Sequence, residues 1–496
     1  MFDEGRVVVV GSGPAGAAAI SRLVEAGAPV TLLEAGRRRA ALGLTVRVAG
    51  LTVARIHREL KSRSEGLVVN GVPEPVLFED VAPGGLSNHW SCAVPRFSRQ
   101  DFLDARRAGD SYSWPIDYDD LVSSYEWVEP LLRISGSNAD VPQLPACRVR
   151  RIRAVHRTWK AVAELAAAEG QGLVAVPYTY GAETTLTLSG TVFNSFVRLI
   201  EPARRTGDVV VRYGARVTRL EWSGTHQRVT GVIFRDARTG ADHRVPCRAV
   251  VLAAGAVNTA KLLLQSTDRD FPQGLGNTEG VLGRYLHDHP VAKVELALGS
   301  PLSFRPAAYL TRAPLESSMP LYAAACLQWG TVPMLAKTLL SGQPGRLPSA
   351  GFNIFGTLPP APENFVAIEP SQLAQDGTPK LVLNIHYPPQ TEQTLLAARD
   401  RLVALLDRAH FRPKIQEWWL EGAGSAVHYA GTCRMHASSK FGMLDSWGRL
   451  HAVRNVIVAD SAAFTTGPEK NPALTAMALA ARASARLAED LRSGAI

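Results

Sequence analysis

The chain of 496 residues is poor in cysteine and has no long hydrophobic segment. Its five cysteines lack C-x-x-C spacing, so they indicate neither a zinc site nor a disulfide framework; they are Cys92, Cys147, Cys247, Cys326 and Cys433. No apolar run reaches the ~20 residues that cross a bilayer, and there is no internal repeat. The first apolar strand follows directly after MFDEG, which leaves no room for a signal peptide. We therefore expect a cytoplasmic protein without a membrane partner.

The charge pattern lacks the footprint of a nucleic-acid-binding protein. The net charge is +9, but basic and acidic residues are interspersed, and the densest basic clusters, Arg37 to Arg39 and Arg148 to Arg153, are short. We find no recognisable nucleic-acid-binding module, so we expect a solvated basic surface. With 46% hydrophobic residues, the chain is long enough to form two or more cores.

The stretch from Arg6 to Gly36 has the pattern of a βαβ unit. Val7 to Val10 form a short β-branched run, which is typical of a strand buried on both faces of a parallel sheet. Small and apolar residues at helical spacing follow over residues 17–24, and a second apolar strand covers Val30 to Leu33. The pattern predicts that the helix lies between two parallel strands.

The turn between the first strand and the helix is a G-x-G-x-x-G motif formed by Gly11, Gly13 and Gly16. Gly11 permits a tight turn, Gly13 lets a pyrophosphate approach the backbone, and Gly16 allows close packing of helix and strand. The pyrophosphate would lie at the helix N-terminus, which favours anions. Glu34, at the end of the second strand, is placed to bind a ribose diol. The motif predicts a dinucleotide site but does not separate NAD from FAD.

A second glycine-rich turn, PGGLSNHW, includes Gly85, Asn88, His89 and Trp90. Glycines permit close approach to a ligand, and the imidazole and indole that follow suit a cofactor wall. The alternative is a structural loop whose histidine hydrogen-bonds to the backbone.

These two motifs, together with the stretch AVVLAAGAVNTAKLLLQS at residues 249–266 and a C-terminal block containing HYAGTCRM and NPALT, resemble the glucose-methanol-choline (GMC) family of FAD-dependent oxidoreductases. The Asn-His-Trp tripeptide most resembles the pyranose oxidase and glycoside oxidase branch. The resemblance makes His89 a candidate for covalent attachment of FAD, although some relatives with a similar turn hold FAD without a covalent bond. It implies that Ser91 lies near flavin N5 and that Val217 contacts the adenine. It gives cofactor-binding roles also to Pro14, Ala15, Gly85, Asn88, Trp90, Ala254, Asp460 and Pro472.

The resemblance also implies the chemistry. His428, the histidine of the H-x-x-G-T segment, is the expected base, and Asn471 is expected to hold the same hydroxyl by hydrogen bonding. Alcohol oxidation needs such a base because the hydride leaves carbon for flavin N5 only as the hydroxyl loses its proton. The expected reaction is oxidation of a secondary sugar or glycoside hydroxyl, at C2 or C3, to a ketone, with O2 reoxidising the flavin to give H2O2.

Three alternatives stay open: a dehydrogenase that uses a quinone or another acceptor, an enzyme for a non-sugar alcohol, and a lyase that keeps FAD only as a scaffold. The chain is shorter than the large pyranose oxidases, which suggests a more open site and a monomer or small homo-oligomer.

The expected fold class is α/β (α+β), with a Rossmann-like FAD-binding domain and a second domain built on an antiparallel sheet with helices. The FAD domain would comprise residues 1–100, 195–290 and 425–496, and the substrate domain residues 101–194 and 291–424. Alternating apolar and polar residues at Val209 to Val211, Ala215 to Trp222 and Val229 to Arg235 favour antiparallel strands.

Several other stretches carry weaker predictions. Residues 40–67 are expected to be helical in places, and 339–351 to form a lid-like loop. Strands are expected at 363–369 and 380–386, in the substrate-facing sheet by resemblance, and a helix at 391–406. Trp329, Phe352, Phe355 and His386 are candidates for pocket lining, with packing in the core as the commoner role. His287 and His289 have no third ligand nearby, so we favour a structural role over a metal site.

Overall fold

A computed structural model describes residues 5–38, 45–48, 51–52, 62–63, 67–72, 76–90, 92–138, 141, 143–179, 184–187, 193–300, 308–310, 319–329, 349–374 and 377–496. The strands are β1 (Val7–Val10), β2 (Val30–Glu34), β3 (Thr45–Val48), β4 (Leu51–Thr52), β5 (Ser62–Arg63), β6 (Leu67–Val72), β7 (Phe78–Glu79), β8 (Ser135–Gly136), β9 (Arg151–Ile152), β10 (Leu173–Ala175), β11 (Thr184–Thr187), β12 (Val209–Tyr213), β13 (Ala215–Ser223), β14 (Arg228–Asp236), β15 (Asp242–Pro246), β16 (Ala249–Leu252), β17 (Val291–Ala297), β18 (Ala308–Leu310), β19 (Ala324–Trp329), β20 (Ser349–Gly356), β21 (Phe365–Leu373), β22 (Pro379–His386), β23 (Lys414–Leu420) and β24 (Val456–Val458).

The α-helices are α1 (Pro14–Glu25), α2 (Arg99–Ala108), α3 (Asp119–Leu132), α4 (Lys160–Ala168), α5 (Glu201–Thr206), α6 (Ala256–Gln265), α7 (Pro389–Arg408) and α8 (Ala473–Ser493). Short 3-10 turns occur at Gly85–Asn88, Asp110–Tyr112, Arg157–Trp159 and Ser461–Ala463, and a π-helical turn at Phe196–Ile200. No helix in these described segments is long and apolar enough to span a bilayer.

The central element is a five-stranded parallel sheet in the order β12-β2-β1-β16-β24. All residues of β1, β16 and β24 are buried, because helices cover the sheet. The strand order reverses between β1 and β16, and ligands of open α/β sheets bind at such a reversal. The fold confirms the predicted class, including the βαβ unit of β1, α1 and β2. The domain boundaries stay a prediction.

The strand at Val209 to Val211 differs from its prediction. It belongs to β12, which pairs with β2 in parallel at the edge of the central sheet rather than in an antiparallel sheet. Its alternating exposure explains the error, since alternation reports half-burial and not strand direction. The other two predicted strands, β13 and β14, do form an antiparallel pair.

A second, six-stranded sheet has the order β10-β18-β19-β20-β17-β23. Its inner strands present alternate residues to α4 and α7, and a hydrophobic cluster containing Val294, Phe352 and Leu402 fills that interface. Side chains alternate along a strand, so the intervening residues of β20, Asn353 and Phe355, lie on the opposite face. Phe355 belongs to the core of the parallel-sheet region. The six-stranded sheet therefore reaches that region through Phe355.

Other predictions had mixed outcomes. The strands expected at 363–369 and 380–386 are present as β21 and β22, and the helix expected at 391–406 is α7. However, β21 and β22 join β6 in a separate three-stranded sheet, because β22 pairs with an N-terminal strand that no local pattern identifies. The described part of residues 40–67 is extended rather than helical. Most of the predicted lid at 339–351 lies outside the described residues, and its end belongs to β20.

The C-terminal helix α8 packs against α1 and α3. The hydroxyl of Tyr125 on α3 lies 2.8 Å from that of Thr475 in the first turn of α8. Arg96 and Glu129 hold α3 in place through a bidentate ion pair of 2.6 and 2.8 Å, with side chains 7% and 0% exposed. This ion pair therefore supports the helix that backs the N-terminus of α8.

We predict that Arg96→Met lowers the free energy of unfolding by about 3–5 kcal/mol, because it leaves the Glu129 carboxylate buried without its cation. The matched control is Arg99→Met, which removes an ion pair to Asp119 with side chains 58% and 62% exposed and should leave the free energy of unfolding nearly unchanged. Urea unfolding of both variants measures the difference. Equal losses would contradict the role given to the buried pair.

Candidate active site

The glycine turn after β1 has the geometry that its motif predicts. Gly11 has a φ of +96°, and a Cβ there would lie 2.5 Å from the Ala253 carbonyl oxygen. A Cβ on Gly16 would lie 2.3 Å from the Gly11 carbonyl oxygen, so both positions need glycine for packing. A Cβ on Gly13 would meet no atom within 4 Å, and Gly13 lines a cavity. Gly13 therefore keeps backbone open to a ligand.

Glu34 lies beside this turn at the end of β2. Its carboxylate accepts hydrogen bonds from the Ser12 hydroxyl and, at 2.6 Å, from the Gly36 N–H. Burial raises the pKa of Glu34, and these hydrogen bonds oppose the rise. The Ser12 hydroxyl also accepts a hydrogen bond from the Gly84 N–H at 2.9 Å. Ser12 thus joins the two glycine-rich turns.

The cavity follows the carboxyl ends of β1, β2 and β16. The predicted cofactor residues that line it are Gly11, Gly13, Pro14, Ala15, Glu34, Gly85, Val217, Ala254, Asp460 and Pro472. Gly16 packs behind them. The structure therefore brings residues from three distant parts of the chain to one cavity at the reversal of the strand order.

Asp460 joins the walls of this cavity. It accepts hydrogen bonds from the Gly255 N–H at 2.9 Å and the Thr259 hydroxyl at 2.7 Å, both in the first turn region of α6. It also accepts from the Ala462 N–H at 2.8 Å. Burial raises the pKa of Asp460, and these donors favour its ionised form. Asp460 therefore holds the start of α6 to the turn after β24.

The Asn-His-Trp turn is not among the residues that line the cavity. Instead, Asn88 and His89 bind the Asp80 carboxylate at 3.0 and 2.8 Å, and Asp80 itself lines the cavity. The Trp90 indole donates to the Phe193 carbonyl at 2.9 Å. Ser91 lies outside the described residues. The turn thus positions a carboxylate of the wall.

His428 and Asn471 come together as predicted, next to the end of the cavity at Tyr429 and Pro472. The distance from the Asn471 amide nitrogen to His428 Nε2 is 3.2 Å. Both side chains are partly buried. Burial lowers the pKa of His428 to about 4, so the imidazole is neutral at pH 7. A neutral histidine can accept a proton.

A third residue, His289, contacts His428. Their Nδ1 atoms are 2.9 Å apart, so one of these nitrogens carries hydrogen and the other accepts it. The Nε2 edge of the His289 ring faces the loop at Gly467. If His428 Nδ1 is the donor, the lone pair of His428 is on Nε2, which faces the Asn471 amide.

The loop before Asn471 is held by buried charges. The Lys470 ammonium is 1% exposed and lies 2.9 Å from Asp101 and 2.8 Å from Glu469. Asp101 also forms the capping box at the N-terminus of α2 with Ser98. The ion pairs connect the Asn471 loop to a helix outside the parallel sheet.

An aromatic contact links His428 and His289 to the six-stranded sheet. The Phe355 ring lies 5.8 Å from the His428 ring and 6.2 Å from that of His289, between ring centres. Of the other candidates for pocket lining, Phe352 packs in the core on the opposite face and His386 is exposed; the side chain of Trp329 is not described.

Two models of the GMC oxidoreductase family match the chain, over residues 146–291 and 360–480. Together they cover more than half of the sequence. The chain is a GMC oxidoreductase. This confirms the resemblance, and with it an FAD-dependent oxidoreductase that acts on CH–OH groups.

Similar GMC oxidoreductases act on different alcohols. The 2-methyl-1,2-propanediol dehydrogenase of Mycolicibacterium austroafricanum is 26% identical over 97% of this chain and 94% of its own. The 6'''-hydroxyparomomycin C oxidase of Streptomyces lividus is 27% identical, over 98% and 91%. The C-glycoside 3-oxidase of Arthrobacter globiformis is 28% identical over 53% and 50%. The solved pyridoxine 4-oxidase from Mesorbium loti has the same fold, with a TM-score of 0.63 at 17% identity, covering 97% of this chain and 98% of that chain.

The GMC family generally binds FAD, and the cavity of this oxidoreductase fits that cofactor. The N-terminus of α1 follows the open backbone at Gly13 and has no side-chain cap, as an anion site at a helix N-terminus requires. Glu34, Val217 and Ala254 line the same cavity.

Among the described residues, no group of three or more His, Cys, Asp or Glu side chains is arranged to hold a metal ion. His287 donates from Nδ1 to the Tyr285 carbonyl at 2.9 Å, and its buried Nε2 has no hydrogen-bond partner within the described part of the chain.

Sequence reasoning missed the contact between His289 and His428 and the charges around Lys470. The first joins residues 139 positions apart, and no local spacing reports it. The adjacent charges Glu469 and Lys470 are visible directly before Asn471, but no local pattern shows that they are buried.

We predict that the enzyme loses stability as the pH falls from about 6.5 to 4, partly through His287. Burial lowers its pKa to about 4, so in this range the unfolded chain binds a proton that the folded protein does not. This one histidine should account for about 2 kcal/mol of the stability lost between pH 7 and pH 5.

The test is His287→Asn, which retains a donor for the Tyr285 carbonyl. Urea unfolding at pH 7 and pH 5 should show a smaller loss than in wild type. His226→Asn, at an exposed hairpin, should behave as wild type. An unchanged pH dependence in His287→Asn would contradict the lowered pKa.

Proposed function

We propose that this GMC oxidoreductase oxidises a secondary hydroxyl of a sugar or glycoside, at C2 or C3, to a ketone. The observation that carries the proposal is the pair formed by His428 and Asn471, in which the His428 imidazole is neutral through its lowered pKa and its Nε2 lies 3.2 Å from the amide nitrogen. Relatives named as oxidases of 6'''-hydroxyparomomycin C and of C-glycosides support the substrate class.

His428 and Asn471 would have different roles at the same substrate hydroxyl. A substrate hydroxyl that displaces the Asn471 amide from His428 Nε2 would donate its proton to that nitrogen, so that the O–H bond breaks as the N–H bond forms. The Asn471 amide would donate to the same oxygen and stabilise its developing negative charge without taking the proton. FAD, when bound, supplies the acceptor for the hydride that leaves the carbon. Glu34, the Gly13 backbone and Asp460 would hold the cofactor in the cavity.

The face of the six-stranded sheet that carries Phe355 suits a substrate with several hydroxyls. One row across β20, β17 and β23 aligns Asn353, Lys293 and Trp419. The Asn353 side-chain oxygen is buried and has no hydrogen-bond partner among the described residues. The Lys293 ammonium lies 5.7 Å from the centre of the Trp419 ring and pairs with Glu421. An aromatic surface flanked by polar groups is suited to a sugar ring and its substituent.

The proposed acceptor is O2, with H2O2 as product. A dehydrogenase that uses a quinone or another acceptor is the second candidate, because one relative over nearly the whole chain is named a dehydrogenase. A non-sugar alcohol also stays open as the substrate, because the same relative is named for 2-methyl-1,2-propanediol. A lyase with FAD as scaffold is the least favoured, since the base has a hydroxyl-binding amide beside it.

We predict that anaerobic titration with a panel of free sugars and glycosides bleaches the flavin absorbance, and that air restores it with release of peroxide. His428→Ala should slow the reduction by at least about 100-fold while the protein stays yellow, because the positioned base is lost. The exposed His226→Ala serves as control and should be reduced like wild type.

Each outcome of the titration separates the candidates. Slow recolouring in air would favour a dehydrogenase. Bleaching only by simple alcohols would contradict the proposed sugar substrate and favour a non-sugar alcohol. Absence of bleaching with every compound would contradict an oxidoreductase mechanism at this site.

We further propose that His89 is the attachment point of FAD. Asp80 lies 2.8 Å from His89 Nε2 and itself lines the cavity, so the His89 ring lies directly behind the cofactor wall. Attachment would form a bond between a ring nitrogen of His89 and a methyl carbon of the flavin and break a C–H bond at that carbon. The proton would leave to solvent, and the two electrons would reduce the flavin, which O2 would reoxidise.

Acid precipitation of the yellow protein should therefore leave the flavin on the polypeptide, and His89→Ala should release it. Asp80→Asn is the companion variant: it should lower the attached fraction while the cavity remains. Release of all flavin from wild type on precipitation would show that FAD is held without a covalent bond.

A further inference from the structure

Three side chains from separate parts of the chain meet at the proposed base. His289 precedes β17, His428 lies in the loop after β23, and Asn471 precedes α8. His289 contacts His428 through Nδ1, which lies 2.9 Å from His428 Nδ1, and its Nε2 edge faces Gly467 in the loop that leads to Asn471. It is itself only 3% exposed. One imidazole therefore lies against both the base and the loop that carries Asn471.

We propose that His289 is a positioning residue for the oxidation, holding His428 in the tautomer whose Nε2 lone pair faces the substrate. The inference rests on the proposed function. Without the acceptor at His289 Nδ1, the two neutral tautomers of His428 would compete, and one of them directs N–H rather than a lone pair toward Asn471 and the hydroxyl.

The hydrogen-bond partner of His428 is the neutral imidazole of His289, and its effect on His428 differs from that of a carboxylate in the same position. A carboxylate favours the charged form of a neighbouring histidine and raises its pKa. The titratable and charged groups that face His289 are His428, His287 and Lys470, and each disfavours positive charge on it. His289 can therefore orient His428 while leaving it uncharged at neutral pH.

The test uses three replacements of His289. His289→Asn offers an amide oxygen near the position of Nδ1, so it can still accept the His428 hydrogen bond. His289→Leu removes the acceptor, and His289→Asp substitutes a carboxylate. His287→Asn is the matched control, because His287 is two residues away and equally buried but has no hydrogen bond to His428.

The first measurement is nitrogen-15 NMR of histidine-labelled holoenzyme without substrate, which reports which ring nitrogen of His428 carries hydrogen. We expect hydrogen on Nδ1 in wild type, His289→Asn and His287→Asn, and a mixture of tautomers in His289→Leu. A single wild-type tautomer retained in His289→Leu would overturn the proposal.

The second measurement is the pH profile of kcat and KM with a substrate found by titration. His289→Leu should lower kcat by about 100-fold with little change in KM, and His289→Asn should restore it to within about tenfold of wild type. His289→Asp should move the acid limb to higher pH by about one to three units, because the carboxylate favours protonated His428.

A purely structural role would predict other results. His289→Asn would then fail as His289→Leu does, and the acid limb of His289→Asp would not move; either result would overturn the proposal. If His428→Ala is itself fully active, the proposed function fails. If His428→Ala is inactive and His289→Leu is fully active, only the role of His289 fails.

Discussion

The contact between β1 and β16 is the constraint on which the rest of the structure depends. These strands pair in parallel where the strand order reverses, and the Gly11 turn approaches the Ala253 carbonyl so closely that no side chain fits between them. The approach places the N-terminus of α1 beside the start of α6, which Asp460 ties to the turn after β24. The turns after β1, β16 and β24 therefore share one cavity, because Gly11 permits the close approach of the first turn to the Ala253 carbonyl.

The surroundings of the proposed base, His428, are likewise formed by segments that are distant in the sequence and meet only in the fold. The partners of its ring are an amide, an imidazole and a phenyl ring, none of which carries a negative charge, and the Asp288 carboxylate accepts only the His428 backbone N–H, at 2.7 Å. Burial in such surroundings favours the neutral form of His428 and lowers its pKa to about 4. The charged groups nearby, around Lys470, are paired with one another and hold the loop, not the imidazole. Positioning and proton affinity are thus controlled by different residues.

Features that depend on residues close together in the sequence could be predicted, whereas contacts between distant residues could not. Val7 to Val10, the glycine turn and the helix at residues 391–406 are local patterns, and the structure confirms them. The direction of the strand at Val209 was wrong because a period of two reports half-burial alone. Resemblance brought His428 and Asn471 together, but no spacing reveals that His289 meets His428, since that contact depends on how two loops meet.

The order of strands in the central sheet has a consequence for how the protein is made. β1 begins at Val7, yet β24, at Val456–Val458, completes the far side of the sheet, and α8, which packs on α1, extends to Ser493. At about 5–20 residues per second, a ribosome needs roughly half a minute or more between these elements. Throughout that time the apolar faces of β1 and α1 lack their final neighbours. The nascent chain therefore exposes this apolar surface until β24 and α8 have been synthesised.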